Sequence, residues 1–237
     1  MTENNNVDPD EIKKFNQMAE NWWDPKGPMK PLHILNPLRV DYIKKHHDIT
    51  NQRILDVGCG GGLLAEALAQ QGGIVTGIDM SEDALLVARQ HANTHKVNLD
   101  YQHSSIEQFA SNNPAPFDII TCLEMLEHVP DYASIIKTCQ QLLKPGGSLF
   151  ISTINRTPKS FLFAIIGAEY VLRLLPRGTH EYEKFIKPSE LNEAAKKYNL
   201  KLEDITGIHY NPITSNFTFN QNVSVNYITH YKNDTKK

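Results

Sequence analysis

Cysteine is scarce in this sequence, which contains only Cys59, Cys122 and Cys139 among 237 residues. An odd number of widely spaced cysteines predicts neither a disulfide framework nor a zinc pattern, so we expect three reduced thiols. The first residues also lack the basic and apolar stretches of a secretory signal. Together these absences predict a cytoplasmic protein.

Long apolar runs and an excess of either charge are also missing. No stretch reaches the roughly 18 uncharged apolar residues of a membrane-spanning helix. The 24 Lys and Arg residues nearly balance the 27 Asp and Glu residues, which leaves a formal net charge of −3. Because phosphate binding needs clustered positive charge, this balance predicts no nucleic-acid partner. The 40% of hydrophobic residues is enough for a full core.

Short apolar segments alternate with helical patterns from residue 53 onward. Strands are predicted at 53–57, 74–78, 99–103, 117–123 and 148–153. Helices between such strands predict an α/β domain with a mostly parallel sheet and helices on both faces. Two later strands, at 202–210 and 223–231, have no helix between them, so we expect an antiparallel hairpin at one edge of the sheet.

This pattern divides the chain into four predicted parts. They are an N-terminal helical lid or extension at 1–50, an α/β core at 51–155, an amphipathic insertion at 156–186, and a C-terminal helix with edge strands at 187–237. Phe15, Met18, Trp22 and Trp23 of the first part either cover a bound cofactor or simply pack against the domain.

The segment Gly58–Gly62 carries the most functional information. It lies between a predicted strand and a predicted helix, where glycines let a ligand approach the backbone and the helix offers free N–H groups. Asp79 ends the second strand, where an acidic side chain can accept hydrogen bonds from a ribose. The glycine spacing is G-x-G-x-G with leucine at position 63, whereas dinucleotide-binding turns have G-x-G-x-x-G. An NAD-linked oxidoreductase is therefore disfavoured.

Glu124, Glu127 and His128 follow the fourth predicted strand, whose carboxyl end should lie beside the glycine turn. If residues 124–128 form a helical turn, Glu124 and His128 share one face. Two roles are open: His128 acts as a general base on a phenol, or all three side chains bind a divalent cation that stabilises a phenolate. In the third interpretation, this segment is a loop-to-helix junction in which His128 caps the helix or packs against its neighbours.

The glycine spacing and Asp79 resemble the first motif and the ribose-binding acid of class I S-adenosylmethionine-dependent methyltransferases. Over nearly all of residues 7–230 the chain resembles the family of ubiquinone-biosynthesis O-methyltransferases. The specific markers are Trp22-Trp23-Asp24, Asn36-Pro37-Leu38-Arg39, Gly167-Ala168-Glu169-Tyr170 and Lys184-Phe185-Ile186-Lys187-Pro188. The resemblance implies a Rossmann-like fold with a seven-stranded sheet and methyl transfer to 2-polyprenyl-6-hydroxyphenol and 3-demethylubiquinol.

The resemblance also implies the residues of the site. S-adenosylmethionine would contact Arg39, Gly58, Gly60, Asp79 and Leu123. A guanidinium such as that of Arg39 suits the carboxylate of the methionine moiety. Glu124, Glu127 and His128 would form a Mg²⁺ site. Two alternatives stay open: a methyltransferase for another small acceptor, and a cofactor-binding scaffold without turnover.

The predicted insertion contains the apolar segment 160–176, which Glu169 and Arg173 interrupt. These charges make a poor membrane span, so an amphipathic element fits better. We expect residues 158–180 either to contact an anionic membrane and the polyprenyl tail, or to cover the active site or a dimer interface. The first alternative predicts peripheral attachment to the inner face of the cytoplasmic membrane. Expected partners are the polyprenyl phenol or quinol substrate and other ubiquinone-biosynthesis proteins.

Overall fold

The computed structural model describes residues 6–161, 181–211 and 214–235. Its strands are β1 (Arg53–Val57), β2 (Ile74–Asp79), β3 (Asp100–His103), β4 (Phe117–Leu123), β5 (Leu143–Ile154), β6 (Leu200–Asn211), β7 (Asn216–Asn220) and β8 (Asn226–Asn233). Its helices are α1 (Pro9–Met18), α2 (Lys30–His46), α3 (Leu63–Gln70), α4 (Glu82–His95), α5 (Ile106–Ser111), α6 (Tyr132–Leu142), the single turn α7 (Pro158–Ser160) and α8 (Pro188–Lys197).

The first five strands form the parallel part of the sheet, as predicted. β1 lies between β2 and β4, β3 flanks β2, and β5 flanks β4. Parallel pairing brings the carboxyl ends of β1, β2 and β4 to one edge of the sheet, where ligands of open α/β sheets bind. The predicted α/β class is therefore confirmed, and the predicted site residues that follow these strands come to a common edge.

The antiparallel end of the sheet is larger than predicted. β8 pairs with both β5 and β6, and β7 pairs with β6 at the outer edge, which gives eight strands instead of seven. The additional strand, β7, lies between the two predicted late strands. Its only apolar side chains, Phe217 and Phe219, are half-buried and alternate with exposed polar residues, so the apolar signal is too short to predict a strand.

Helices cover both faces of the sheet, and each face has its own core. Neighbouring residues of one strand point to opposite faces, so Ile54 belongs to one buried cluster and Leu55 to the other. Side chains of α2, α3 and α4 pack in the cluster that contains Ile54, and those of α5, α6 and α8 pack in the cluster that contains Leu55. The core thus fixes the strand ends that carry the site.

The N-terminal segment packs directly on the α/β core. Trp22 and Met29 are buried together with Leu63 of α3 and Ala84 of α4. The predicted packing of Trp22 is confirmed, whereas its role as a lid stays a prediction. Residues 162–180, which include most of the predicted insertion, lie outside the described residues. Within the described ranges, no helix combines the length and the apolar character that crossing a membrane requires.

Candidate active site

The glycine turn joins β1 to α3 in a backbone shape that favours glycine. Gly60 and Gly62 have φ angles of 53° and 88°, in the left-handed region where other residues are strained. A Cβ atom on Gly60 would lie 2.2 Å from the ring of Trp22, and one on Gly62 would lie 2.0 Å from the Tyr101 hydroxyl. The glycines therefore allow both the turn itself and the close approach of neighbouring side chains.

Asp79 lies at the carboxyl end of β2 and contacts the turn. Its carboxylate accepts hydrogen bonds from the backbone N–H of Gly60 at 2.8 Å and of Ser81 at 2.7 Å. Burial raises the pKa of Asp79, although these backbone donors and that of Met80 oppose the shift. Ser81 caps α4, because its hydroxyl accepts a hydrogen bond from the N–H of Ala84. A fixed carboxylate here suits the hydroxyl groups of a ribose.

Arg39 projects from α2 and is only 6% exposed. Its Nη2 atom lies 3.2 Å from Glu124 Oε1. Within the described part of the chain, its Nε and Nη2 atoms have no hydrogen-bond partner. A buried guanidinium with unused donors suits a carboxylate ligand, because such pairs form charge-assisted hydrogen bonds. The structure therefore fits the prediction that Arg39 holds the methionine carboxylate of the methyl donor.

Asp56 is a buried carboxylate that the sequence did not single out. Burial raises its pKa to about 7, although a hydrogen bond from Thr121 at 2.7 Å and the charge of Arg39 lower it. It lines the same cavity as Asp79. Its position two residues before Gly58 was visible in the sequence, but only its burial shows that it titrates near neutral pH.

His128 is held by a residue that the sequence did not predict, Glu11 of α1. The Glu11 carboxylate lies 2.7 Å from His128 Nδ1, and Phe15 meets the imidazole edge-on. Burial lowers the pKa of His128, but the hydrogen bond to Glu11 and the charges of Glu127 and Glu124 outweigh it, so the pKa is raised. Burial opposes ionisation of Glu11, yet His128 and Lys14 hold the pKa of Glu11 at about 2.

Residues 124–128 do not form the helical turn that would put Glu124 and His128 on one face. Only Leu126–His128 form a single 3-10 turn, and Glu124 has a φ of 53°. The Ser152 hydroxyl donates to Glu124 Oε1 at 2.7 Å, and the Glu124 N–H donates to the Ser152 carbonyl. This strained backbone turns the carboxylate toward Arg39, and such strain is common at functional sites.

Glu127 is buried and does not line the cavity that contains Glu124 and His128. Thr153 donates to its Oε2 atom at 2.8 Å, while its Oε1 atom has no hydrogen-bond partner within the described residues. Burial and the charge of Glu124 raise the pKa of Glu127, although His128 lowers it. A role in contact with substrate therefore stays a prediction that this placement does not favour.

The three side chains predicted to bind Mg²⁺ do not form a compact ligand set. Within the described residues, they are not a group whose ligand atoms all lie within 4.8 Å of one another. Glu124 is engaged by Arg39 and Ser152, and His128 is engaged by Glu11. The present arrangement of these three side chains does not fit a metal ion. Binding of Mg²⁺ therefore stays a prediction that this placement does not favour.

Most of the predicted site residues line one cavity of about 750 Å³. It is lined by seven of the eight predicted residues: Arg39, Gly58, Gly60, Asp79, Leu123, Glu124 and His128. Apolar side chains of α2 and of the C-terminal strands complete its wall, among them Leu35, Ile208 and Phe217. The cavity thus places the glycine turn, a buried guanidinium and an imidazole around one space.

This fold and site define a class I S-adenosylmethionine-dependent methyltransferase. A family profile described as a methyltransferase domain matches residues 30–205. The magnesium protoporphyrin IX methyltransferase of Synechocystis PCC 6803, solved with S-adenosylhomocysteine, superposes with a TM-score of 0.69 at 17% identity and covers 93% of this chain and 94% of that one. The chain is an enzyme of this class, and S-adenosylmethionine is its methyl donor.

Sequence relatives identify the family within this class. The ubiquinone biosynthesis O-methyltransferase of Nitrosococcus oceani is 53% identical over 225 residues, which cover 95% of each chain. The protein of the same name from Acinetobacter baylyi is 55% identical over 227 residues, again 95% of each chain. The chain belongs to the ubiquinone biosynthesis O-methyltransferase family.

Proposed function

We propose that the protein transfers a methyl group from S-adenosylmethionine to a phenolic hydroxyl of polyprenylated ubiquinone precursors, 2-polyprenyl-6-hydroxyphenol and 3-demethylubiquinol. The observation that carries this proposal is the single cavity that contains both the donor-binding residues and His128. Family membership supports the assignment of the acceptor, because the relatives are named for ubiquinone biosynthesis.

The donor side of the cavity binds and orients the methyl donor. Asp79 holds the ribose hydroxyls, Arg39 holds the methionine carboxylate, and the glycine turn admits the adenosine beside Leu123. S-adenosylmethionine, when bound, supplies a methyl group on a positively charged sulfur. The protein positions the donor and the acceptor in a site enclosed by apolar side chains. Both effects favour attack of an oxygen nucleophile on the methyl group and its release from sulfur.

On the acceptor side, His128 removes the proton of the hydroxyl group. A free phenol has a pKa of about 10, so only about one molecule in a thousand is ionised at neutral pH. A positioned imidazole overcomes this limit by accepting the proton as the oxygen attacks. Glu11 is a positioning residue, because its contact with Nδ1 fixes the ring and raises its basicity.

The apolar wall of the cavity suits the ring and the first part of a prenyl chain. Tyr210 and Phe217 lie in contact across β6 and β7, with ring centroids 4.9 Å apart, and both line the cavity. Phe219 lies two residues further along β7, packs against Tyr42 and does not line the cavity. This pair of phenylalanines gives a matched test of where the acceptor tail binds.

Methyl transfer from labelled S-adenosylmethionine to two catechols, one with and one without a prenyl tail, tests the proposal. We expect Phe217→Ala to raise the KM of the prenylated catechol about 5- to 30-fold, because it removes roughly 1–2 kcal/mol of apolar contact. Phe219→Ala should leave that KM unchanged. Equal use of both catechols would favour another small acceptor, and donor binding without turnover would favour a scaffold.

The peripheral membrane location rests on residues 158–180, most of which lie outside the described residues. Two basic residues lie near the start of this segment: Arg156 forms an ion pair with Glu190, and Lys159 lines the cavity. We expect the protein to float with anionic vesicles and not with neutral ones, as electrostatic attachment requires. Absence of flotation with anionic vesicles would remove the membrane from the proposed function.

A further inference from the structure

A second cluster of metal-ligating side chains, Glu66, His91 and His95, lies outside the cavity. Each residue offers one ligand atom, and these atoms all lie within 4.8 Å of one another. No other group of three in the described part of the chain meets this condition. We propose that these three side chains bind Zn²⁺ or a similar divalent transition-metal ion.

The fold places the three side chains together from two helices. His91 and His95 are four residues apart on α4, so they share one face of the helix. Their rings stack with centroids 4.0 Å apart. Glu66 comes from α3, and its two carboxylate oxygens lie 2.9 and 3.0 Å from His91 Nδ1. A sequence separation of 25 residues between Glu66 and His91 explains why spacing alone did not predict the cluster.

The ligand set selects the class of ion. Two imidazoles and one carboxylate are ligands of Zn²⁺, whereas Mg²⁺ and Ca²⁺ prefer an all-oxygen set. Ligands of a tetrahedral Zn²⁺ stand about 3.4 Å apart, given metal–ligand distances of roughly 2.1 Å. The observed separations, 2.9 and 3.0 Å between Glu66 and His91 Nδ1 and at most 4.8 Å within the whole group, lie on either side of this value. The ion would replace the proton between His91 Nδ1 and Glu66, and that proton would pass to solvent.

The three side chains of the cluster differ in their exposure to solvent, which suits a cation with access to water. Glu66 is only 1% exposed, His91 is half-buried and His95 is exposed. Burying a carboxylate is unfavourable unless a positive charge compensates for it. Exposed His95 gives the ion an entry path and leaves a coordination position for water.

Trp23 connects this cluster to the N-terminal segment and the glycine turn. Its ring stacks on His91 with centroids 3.3 Å apart and planes within 4°. Its Nε1 atom donates to the Gly61 carbonyl at 2.8 Å. An ion that fixes His91 would therefore also steady Trp23 against the turn. The stack supplies a spectroscopic signal, since a metal on His91 changes the surroundings of the indole.

Titration of the untagged full-length chain with Zn²⁺, followed by calorimetry, tests the proposal, and Co²⁺ absorption reports the ligand geometry. We expect one Zn²⁺ per chain and a tetrahedral Co²⁺ spectrum. Loss of an outer-shell partner already weakens metal binding about 10- to 100-fold, so His95→Ala should weaken it at least about 100-fold. Glu66→Gln should have a similar effect. Equal Zn²⁺ affinity in the wild type and both variants would overturn the proposal.

Matched variants separate this site from the rest of the protein. Thr94→His combined with His95→Ala keeps the number of histidines but moves the imidazole to another face of α4, and it should not restore binding. His128→Ala removes the candidate base and should leave the Zn²⁺ affinity unchanged. Trp23→Phe should abolish the metal-dependent change in emission. Binding of S-adenosylhomocysteine by each variant confirms that the variant is folded. Absence of methyl transfer to phenols by the wild type would not affect these metal-binding results.

Discussion

The two sides of the cavity are built in different ways. The centre of the donor side comes from consecutive segments of the core, the glycine turn after β1 and Asp79 at the end of β2, and Arg39 of α2 and Leu123 of β4 complete it. The acceptor side joins distant parts of the chain, since Glu11 and His128 are 117 residues apart and Phe217 comes from the additional edge strand. The glycine turn and Asp79 thus follow from the parallel sheet, whereas the acceptor side depends on how the N- and C-terminal segments pack on it.

This difference has a kinetic consequence. Donor-side variants should change the affinity for S-adenosylmethionine, because they remove contacts that persist throughout the reaction. Acceptor-side variants should change turnover, because they act on the proton and on the attacking oxygen. A donor-side variant that lowers turnover, or an acceptor-side variant that weakens binding of S-adenosylmethionine, would show that the two sides are not independent.

The largest effect is expected for His128→Ala. Loss of a positioned general base lowers turnover about 10²- to 10⁴-fold. The affinity for S-adenosylhomocysteine, measured by calorimetry, should stay within about threefold because no donor contact is removed. His209 lines the same cavity, so His209→Ala is the matched control and should lower turnover far less. An equal loss in both variants would argue against His128 as the base.

Asp79→Asn should weaken the binding of the donor. A hydrogen bond to a charged group contributes about 1.5–3 kcal/mol, so we expect the Kd of S-adenosylhomocysteine to rise about 10- to 100-fold. Turnover at saturating donor should change little. Asp83→Asn, at an exposed position on α4, should bind the donor normally. A variant that binds normally but turns over slowly would contradict the donor-side assignment of Asp79.

Glu11→Gln should lower turnover about 10-fold and change its pH dependence, because the positioned base is weakened but not removed. The Glu11 carboxylate raises the pKa of His128, so its loss lowers that pKa. The acid limb of kcat/KM should therefore move to lower pH while the plateau falls. Asp10→Asn changes an exposed carboxylate one residue away and should leave the profile unchanged. A lower plateau with no shift would indicate a structural role only.

The smallest effect is expected from the titration of Asp56, whose pKa is about 7 in the protein without donor. A cationic donor favours the ionised carboxylate, so binding lowers this pKa and releases a proton. The affinity for S-adenosylmethionine should rise about 10-fold between roughly pH 6 and pH 8. Calorimetry in buffers of different ionisation enthalpy measures the released proton. Asp56→Asn should remove both the release and the pH dependence.

Some interpretations of the sequence were right because they rest on local patterns. The alternation of strands and helices predicts the parallel sheet, and the glycine spacing with Asp79 indicates a methyltransferase that uses S-adenosylmethionine. Other features lacked a local signal. β7 has only two apolar residues, and β5 begins at Leu143 instead of the predicted residue 148, because pairing with Phe117 extends it.

The sequence by itself determined the fold class and the family, and it predicted the residues that hold the donor, since periodicity and short motifs act within a few tens of residues. Only the tertiary structure decided that Glu11 orients His128, that Glu127 lies behind the cavity, and that Glu66 meets two histidines. These features depend on distances between side chains from separate helices and strands. No spacing along the chain specifies such distances before the core has packed.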